Sequence, residues 1–252
     1  MLPLLVSGAW LRDSAGRALL LRGVNSGGSS KLPATPDGAT HLPESLDASR
    51  PVSFIGRPFP LDEAHEHLGR LRHWGFNVLR LLTTWEAIEH AGPGRYDEAY
   101  LDWFAELVQL AGTYGFYVFV DPHQDAWGRW SGGDGAPHWT YTACGLDPAH
   151  FDAAEAAITM QRRLPNGYGR MVWPANYSRF AASTMLTLFF GGSDFAPHFL
   201  IAGEPAQEYL QRHYIAAMAQ VARRLNGMPH VLGYGALNEP NGGYIGKRLD
   251  EL

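Results

Sequence analysis

Phe116-Tyr-Val-Phe-Val-Asp-Pro-His-Gln-Asp125 begins as an unbroken apolar run and ends in charge. Side chains alternate between faces along a strand, so a run that is apolar at both parities belongs to a strand covered on both sides, as in a parallel sheet flanked by helices. Phe76-Asn-Val-Leu-Arg-Leu-Leu82 and Val231-Leu-Gly-Tyr-Gly-Ala-Leu237 read the same way, and the second runs on into Asn238-Glu239-Pro240. Helical patterns fill the intervals. Leu61, Ala64, Leu68, Leu71 and Trp74 recur at helical spacing before a stop at Gly75. Asp97 is placed to cap a helix that carries Tyr100, Phe104, Leu107 and Ala111 on one stripe. A third helix begins near Pro205, with Leu210, Tyr214, Ala217, Val221 and Leu225 on one face, and stops before Gly227. Nearer the amino terminus, Trp10 to Arg22 reads as two short strands around an Asp13 to Gly16 turn, the second continuing into Gly23-Val24-Asn25. The Gly-, Ser- and Pro-rich stretch from Ser26 to Pro60 reads as a long surface loop.

The order β-α-β-α-β-α-β predicts an α/β chain with a parallel sheet and right-handed crossovers. A closed (β/α)8 TIM barrel needs eight such units, whereas about four are visible and the sequence ends soon after Glu239. No Gly-x-Gly-x-x-Gly follows the first strand to support a nucleotide-binding sheet. Residues 1–252 are therefore expected to be the amino-terminal part of a single barrel. Residues 124–204 interrupt the pattern and are too long for a plain βα loop. Trp127, Trp130, Trp139 and Trp173 lie there among Gly and Pro residues. They fit either a lid whose aromatic faces stack on sugar rings or an insertion with its own small core. Met185-Leu-Thr-Leu-Phe-Phe190 reads as a buried helix, since a membrane span needs about 20 apolar residues.

Composition narrows the function. A chain of 252 residues that is 46% hydrophobic and 12% aromatic can bury a sizeable core and is not disordered. A net charge of −5 without any Lys/Arg-rich run argues against nucleic-acid binding. Small-molecule glycosides or neutral lipids suit this balance better. Cys144 is the single cysteine and excludes an intrachain disulfide. The start Met-Leu-Pro-Leu-Leu-Val-Ser-Gly8 lacks the basic segment and longer apolar run of a signal peptide, and no apolar stretch reaches 18 residues. The expectation is a cytoplasmic protein with no transmembrane segment.

Arg80 shares strand parity with Val78 and Leu82 and is expected to point inward. A buried guanidinium demands an anionic or strongly polar partner, so Arg80 either orients catalytic carboxylates or forms a structural ion pair. Asp121, His123 and Asp125 close their strand as an array for binding hydroxyls or, together with Glu239, as a metal site. No second histidine lies at i+2 or i+4 from His123, so no metal or cofactor is expected. A histidine at a strand end can also be a satisfied structural group. Glu239 ends a buried strand, where parallel barrels place catalytic groups. Held against the apolar strand end, its carboxyl is suited to giving a proton to a glycosidic oxygen, with Asn238 bonding a substrate hydroxyl.

Six segments together resemble glycoside hydrolase family 5 of clan A, and within it the endoglycoceramidase-related, steryl β-glucosidase-like branch. They are Gly23-Val-Asn25, Asn77-Val-Leu-Arg80 with Trp85-Glu-Ala-Ile-Glu89, Asp121-Pro-His-Gln-Asp-Ala-Trp127, Ser131-Gly-Gly-Asp-Gly-Ala-Pro137 and Leu237-Asn-Glu-Pro240. The resemblance implies a metal-free retaining β-glycosidase acting on glucosylated lipids such as steryl glucoside or glucosylceramide. It implies that Glu239 is the general acid/base and that Asn238 contacts the sugar 2-hydroxyl. By the same resemblance Arg80 and His123 line the subsite of cleavage, and Asp125 and Lys31 bind the glycone. Retention needs a nucleophilic carboxylate about 5–5.5 Å from the acid, which the family places at the end of strand seven. The chain looks like an amino-terminal fragment lacking that group; Asp250 and Glu251, after a Gly-rich turn, are poor substitutes. Three functions stay open: half of a retaining β-glucosidase, a non-catalytic sugar- or glycolipid-binding half-barrel, and a hydrolase using metal-bound water at Asp121, His123, Asp125 and Glu239.

Overall fold

The computed structural model describes residues 4–38, 42–159 and 173–248; Asp250 and Glu251 lie outside them. An antiparallel pair, β1 (Leu5–Ser7) and β2 (Trp10–Arg12), precedes the main sheet. The main sheet consists of β3 (Gly23–Ser26), β4 (Val78–Thr84), β5 (Tyr117–His123) and β8 (Val231–Tyr234), all parallel and adjacent in chain order. Consecutive parallel strands lying side by side are the arrangement of successive units of a (β/α)8 barrel, here an open part of one.

Helices occupy the connections. Helix α1 (Leu61–His73) joins β3 to β4, and α2 (Trp85–Glu89) with α3 (Glu98–Thr113) joins β4 to β5. Between β5 and β8 lie α4 (His138–Ala143), α5 (Phe180–Phe195), a two-residue antiparallel pair, β6 (Leu200–Ile201) with β7 (Glu204–Pro205), and α6 (Ala206–Leu225). One strand parity packs on this layer: Leu79, Leu81, Val118 and Val120 join Leu68, Phe104, Leu107 and Leu210 in the core. The opposite parity carries Arg80, Asp121 and His123. Asp97 caps α3 as its spacing predicts, accepting from Tyr100 N at 2.9 Å.

Two expectations are corrected. Across the Asp13–Gly16 turn, residues 17–22 form no full strand: an isolated Arg12–Ala18 bridge and the bonds Asp13 N to Arg17 O at 3.0 Å and Leu19 N to Leu11 O at 2.9 Å hold residues 17–19 to β2, and the pairing goes no further. The Asn77 side chain ties this segment to the sheet instead, accepting from Arg22 N at 2.6 Å and donating to Leu20 O at 2.9 Å. Trp74 is 63% exposed, since α1 ends at His73 and Gly75 turns the chain away with φ +89°.

In the 124–204 segment, Trp127 and Trp130 are buried and Trp139 is partly buried against the core, while Trp173 is 42% exposed. The first two are core residues and are not free to stack on a sugar. Met185, Leu186, Leu188 and Phe189 are buried in α5, and among the described residues no helix is long and apolar enough to cross a membrane. The base of the segment is bolted to α2. Arg129 Nε donates to both carboxylate oxygens of Glu86, at 2.8 and 2.9 Å, with both residues buried, and the guanidinium also reaches Ser45 O and lies 4.0 Å over Trp130. Removing one partner of such a pair strands the other charge in the interior. Glu86→Ala should therefore lower unfolding stability by about 3–5 kcal/mol. The double change Glu86→Leu with Arg129→Met should cost less than the single one, as read by urea denaturation.

Candidate active site

All four parallel strands end on one side of the sheet, and the polar residues gather there. Strand register sets them out: Arg80 lies beside Phe119, Leu82 beside Asp121, and Thr84 beside His123. The Arg80 guanidinium donates to Asn238 Oδ1 at 2.8 Å and lies 2.9 Å from Asp121 Oδ2. Asp121 in turn holds His123 Nδ1 at 2.8 Å, and His123 Nε2 lies 3.4 Å from Asp125 Oδ2. The ammonium of Lys31, brought in by the loop after β3, pairs with Asp125. A single chain of contacts thus runs from Asn238 through Arg80, Asp121, His123 and Asp125 to Lys31.

Charge settles within this chain in a definite way. Burial works against a charged His123, yet the bonds to Asp121 and Asp125 outweigh it and lift the imidazole to about 9. Burial likewise opposes ionised Asp125, but the bonds from His123 and Lys31 prevail and hold it down to about 2. Buried Asp134 faces the other way: burial and the charge on Asp125 push it well above the usual carboxylate range. Burial also pushes the Tyr177 hydroxyl up to about 12, so it keeps its proton and donates to Asp125 Oδ1 at 3.5 Å.

Glu239 departs from its expected setting. It is exposed rather than held against the apolar strand end, because β8 ends at Tyr234 and the chain turns outward into a left-handed Glu239 with φ +40°. Its neighbour Asn238 is buried and anchored, with its backbone N donating to Pro122 O at 2.9 Å and its Nδ2 to Gln124 O at 3.2 Å. The Tyr214 hydroxyl on α6 donates to Ala236 O at 2.6 Å and steadies the same turn.

Asp134, Tyr177 and Gln124 complete the site and were not picked out from the sequence. Asp134 bridges backbone to backbone with Asp125, at 2.9 and 3.0 Å. Its signal lay in the glycines around it: a Cβ on Gly133 would sit 1.7 Å from Asp125 O. Tyr177 comes from a 3-10 turn, Trp173–Ser178, far along the insertion, where no pattern marks it. As for a metal, the ligand atoms of His123, Asp125 and Asp134 lie within 4.8 Å of one another, a set that exchanges Asp121 and Glu239 for Asp134. Lys31 is already paired with Asp125, and the two ring nitrogens of His123 face Asp121 and Asp125, while Asp134 Oδ1 is buried without a hydrogen-bond partner among the described residues. The array presents charged donors and acceptors at fixed positions, a chemistry that suits hydrogen bonding to hydroxyl groups.

A histidine raised above its unfolded value of about 6.5 stabilises the fold fully below that value and loses the contribution as pH rises through about 9. Side-chain NMR should follow His123 titrating near 9, and Asp121→Asn should bring it down by at least about one unit. An unmoved titration in the variant would remove Asp121 as the anchor of the imidazolium.

Comparison with known proteins gives the chain its relatives. A family model described as Cellulase (glycosyl hydrolase family 5) matches residues 48–248. A glucosylceramidase of Rhizopus delemar is 47% identical over 99% of this chain and 37% of its own length. An ergosteryl-beta-glucosidase of Saccharomyces cerevisiae is 42% identical over 93% of this chain and 34% of its own. The crystal structure of sterylglucosidase 1 from Cryptococcus neoformans superposes with a TM-score of 0.90 at 39% identity, covering 97% of this chain and 36% of that one. Endo-glycoceramidase II from Rhodococcus sp. gives 0.63 at 25% identity, over 94% and 43%. The chain thus spans about a third of the length of the curated relatives it matches. With a parallel sheet that ends in the array just described and a family match over most of its length, this chain belongs to glycosyl hydrolase family 5.

Proposed function

We propose that this chain forms the first half of the catalytic barrel of a retaining β-glycosidase that cleaves glucosylated lipids, with Glu239 as the acid/base. The observation that carries the reading is the convergence of Asn238-Glu239 with the Arg80–Asp121–His123–Asp125–Lys31 chain at one end of four parallel strands. In the first step Glu239 gives its proton to the glycosidic oxygen as the bond to the anomeric carbon breaks and the electron pair leaves with the aglycone. A carboxylate about 5–5.5 Å away, supplied from outside this chain, takes the glycosyl group. Glu239, again a carboxylate, then draws a proton from the water that releases the sugar.

The other residues have distinct work in this reading. Asn238, oriented by Arg80, presents Nδ2 toward the sugar, and His123 lines the subsite of cleavage. Asp125 and Lys31 bond the glycone hydroxyls, a task that suits an ion pair already fixed by its neighbours. The 124–204 segment acts as a lid. Its exposed Trp173 packs against Tyr177, 6.3 Å between centroids, and Tyr177 touches Asp125, which puts an aromatic face beside the glycone array. A lipid aglycone is supported by the relatives, named for glucosylceramide, ergosteryl glucoside and glycoceramide substrates.

Glu239→Gln, made in the full-length product of the gene, should lower turnover of steryl glucoside or glucosylceramide by about 10²–10⁴-fold with the fold intact. With 2,4-dinitrophenyl β-glucoside, whose aglycone leaves without a proton, added azide should speed turnover of the variant and yield the β-glucosyl azide, because a small anion needs no general base to attack the glycosyl-enzyme. Undiminished lipid glucoside turnover would sink the assignment.

A further inference from the structure

Glu239 has an unusual backbone. Its φ of +40° lies in the left-handed region, which costs a residue bearing a Cβ on the order of 1 kcal/mol and persists only where surrounding contacts enforce it. The peptide that follows leads into Pro240, which has no N–H. The Glu239 carbonyl is therefore the only hydrogen-bonding group on that peptide plane.

Gln124 meets this need. Its side-chain amide donates to Asn238 O at 2.8 Å and to Glu239 O at 3.1 Å. These carbonyls belong to the two peptide planes that flank the Glu239 Cα, so one NH2 group holds both planes and with them the direction of the Cα–Cβ bond. The amide is itself fixed. Its Oε1 accepts from Trp127 N at 3.1 Å, which together with the two carbonyls sets which end is oxygen and which nitrogen. Gln124 is only 4% exposed, and its backbone O accepts from Asn238 Nδ2 at 3.2 Å. Gly135 packs so close that a Cβ there would lie 2.6 Å from Gln124 Cβ. The residue stands between His123 and Asp125, so it ties the acid to the glycone-binding strand end across the β5 to β8 junction.

We propose that Gln124 is a positioning residue for the acid/base Glu239: its amide locks the left-handed turn that aims the carboxyl at the glycosidic oxygen. The inference rests on the reading of Glu239 as the acid. A carboxyl displaced by about 1 Å loses catalysis on the order of 10²-fold, and the loss falls on substrates that need a proton to expel the aglycone. An activated aryl glucoside needs no such help.

The test uses the full-length product of the gene with Gln124→Glu, which keeps the shape but turns acceptors toward both carbonyls, and Gln124→Met, which keeps the length and removes the donor. Glu239→Gln runs beside them as reference. The kcat/KM, which reports the steps up to glycosyl transfer, is measured for 2,4-dinitrophenyl β-glucoside and for an alkyl β-glucoside, with circular dichroism checking the fold. The expected result is a loss of kcat/KM of about 10–100-fold on the alkyl glucoside and of less than about threefold on the dinitrophenyl glucoside. For the latter kcat and KM fall together, because the same carboxyl is the base that releases the sugar. Should one variant fail to fold, the other decides. Equal losses on both substrates, or none, while Glu239→Gln discriminates between them, would overturn the role of Gln124 and leave the acid assignment standing. A Glu239→Gln enzyme that does not discriminate would overturn the acid assignment and this inference with it.

Discussion

The guanidinium of Arg80 is the constraint on which the site depends. A charge inside a strand must be answered by acceptors within reach, and here Asp121 on β5 and Asn238 after β8 answer it. One side chain on β4 thereby sets two neighbouring strand ends against each other. Asp121, engaged on one side by Arg80, uses the same carboxylate to orient His123. The imidazole passes the constraint on to Asp125 and Lys31. A ladder of alternating charge keeps every member satisfied although most of it is out of water, which is the condition under which buried polar networks specify one geometry.

Much of this architecture is legible in the sequence for a simple reason. Val78 to Leu82 and Phe116 to Val120 are apolar at both parities, and only a covered parallel strand demands that. An odd residue in such a run, such as Arg80, announces a site. Asp97 and its stripe were equally plain, because capping and helical spacing are local. What was hidden depends on contacts distant in sequence. Residues 17–22 carry the apolar run Ala18 to Leu21, but such a run does not say how far a ladder extends, and here the pairing with β2 stops at Leu19. Glu239 reads as the end of an apolar strand, yet β8 ends at Tyr234 and Glu239 is exposed, with a left-handed backbone that no local pattern announces. Asp134 lies in a glycine run that explains itself only when the run is seen to cross Asp125 at backbone contact. Tyr177 reaches Asp125 from a turn more than fifty positions away.

Opposite protonation of adjacent carboxyls gives the site its character. Asp125 is ionised and Asp134 is driven toward its neutral form, although the two lie side by side. Environment alone separates them: Asp125 has Lys31 and His123 as partners, while Asp134 has a buried niche and the field of its neighbour. Two like charges would repel at this separation, so the neutral acid allows the other to keep its ion pair. The result is a surface of donors and acceptors fixed by their own neighbours.

At Gly133, backbone lies against backbone where the insertion begins, and no side chain can be admitted there without moving Asp125. Farther along, Trp173 is exposed and carries no such restriction. The start of the insertion is therefore closed to any larger residue at Gly133, whereas the outer face of Trp173 is open to solvent. A substitution at Gly133 has to move Asp125, whereas one at Trp173 meets the ring of Tyr177 first.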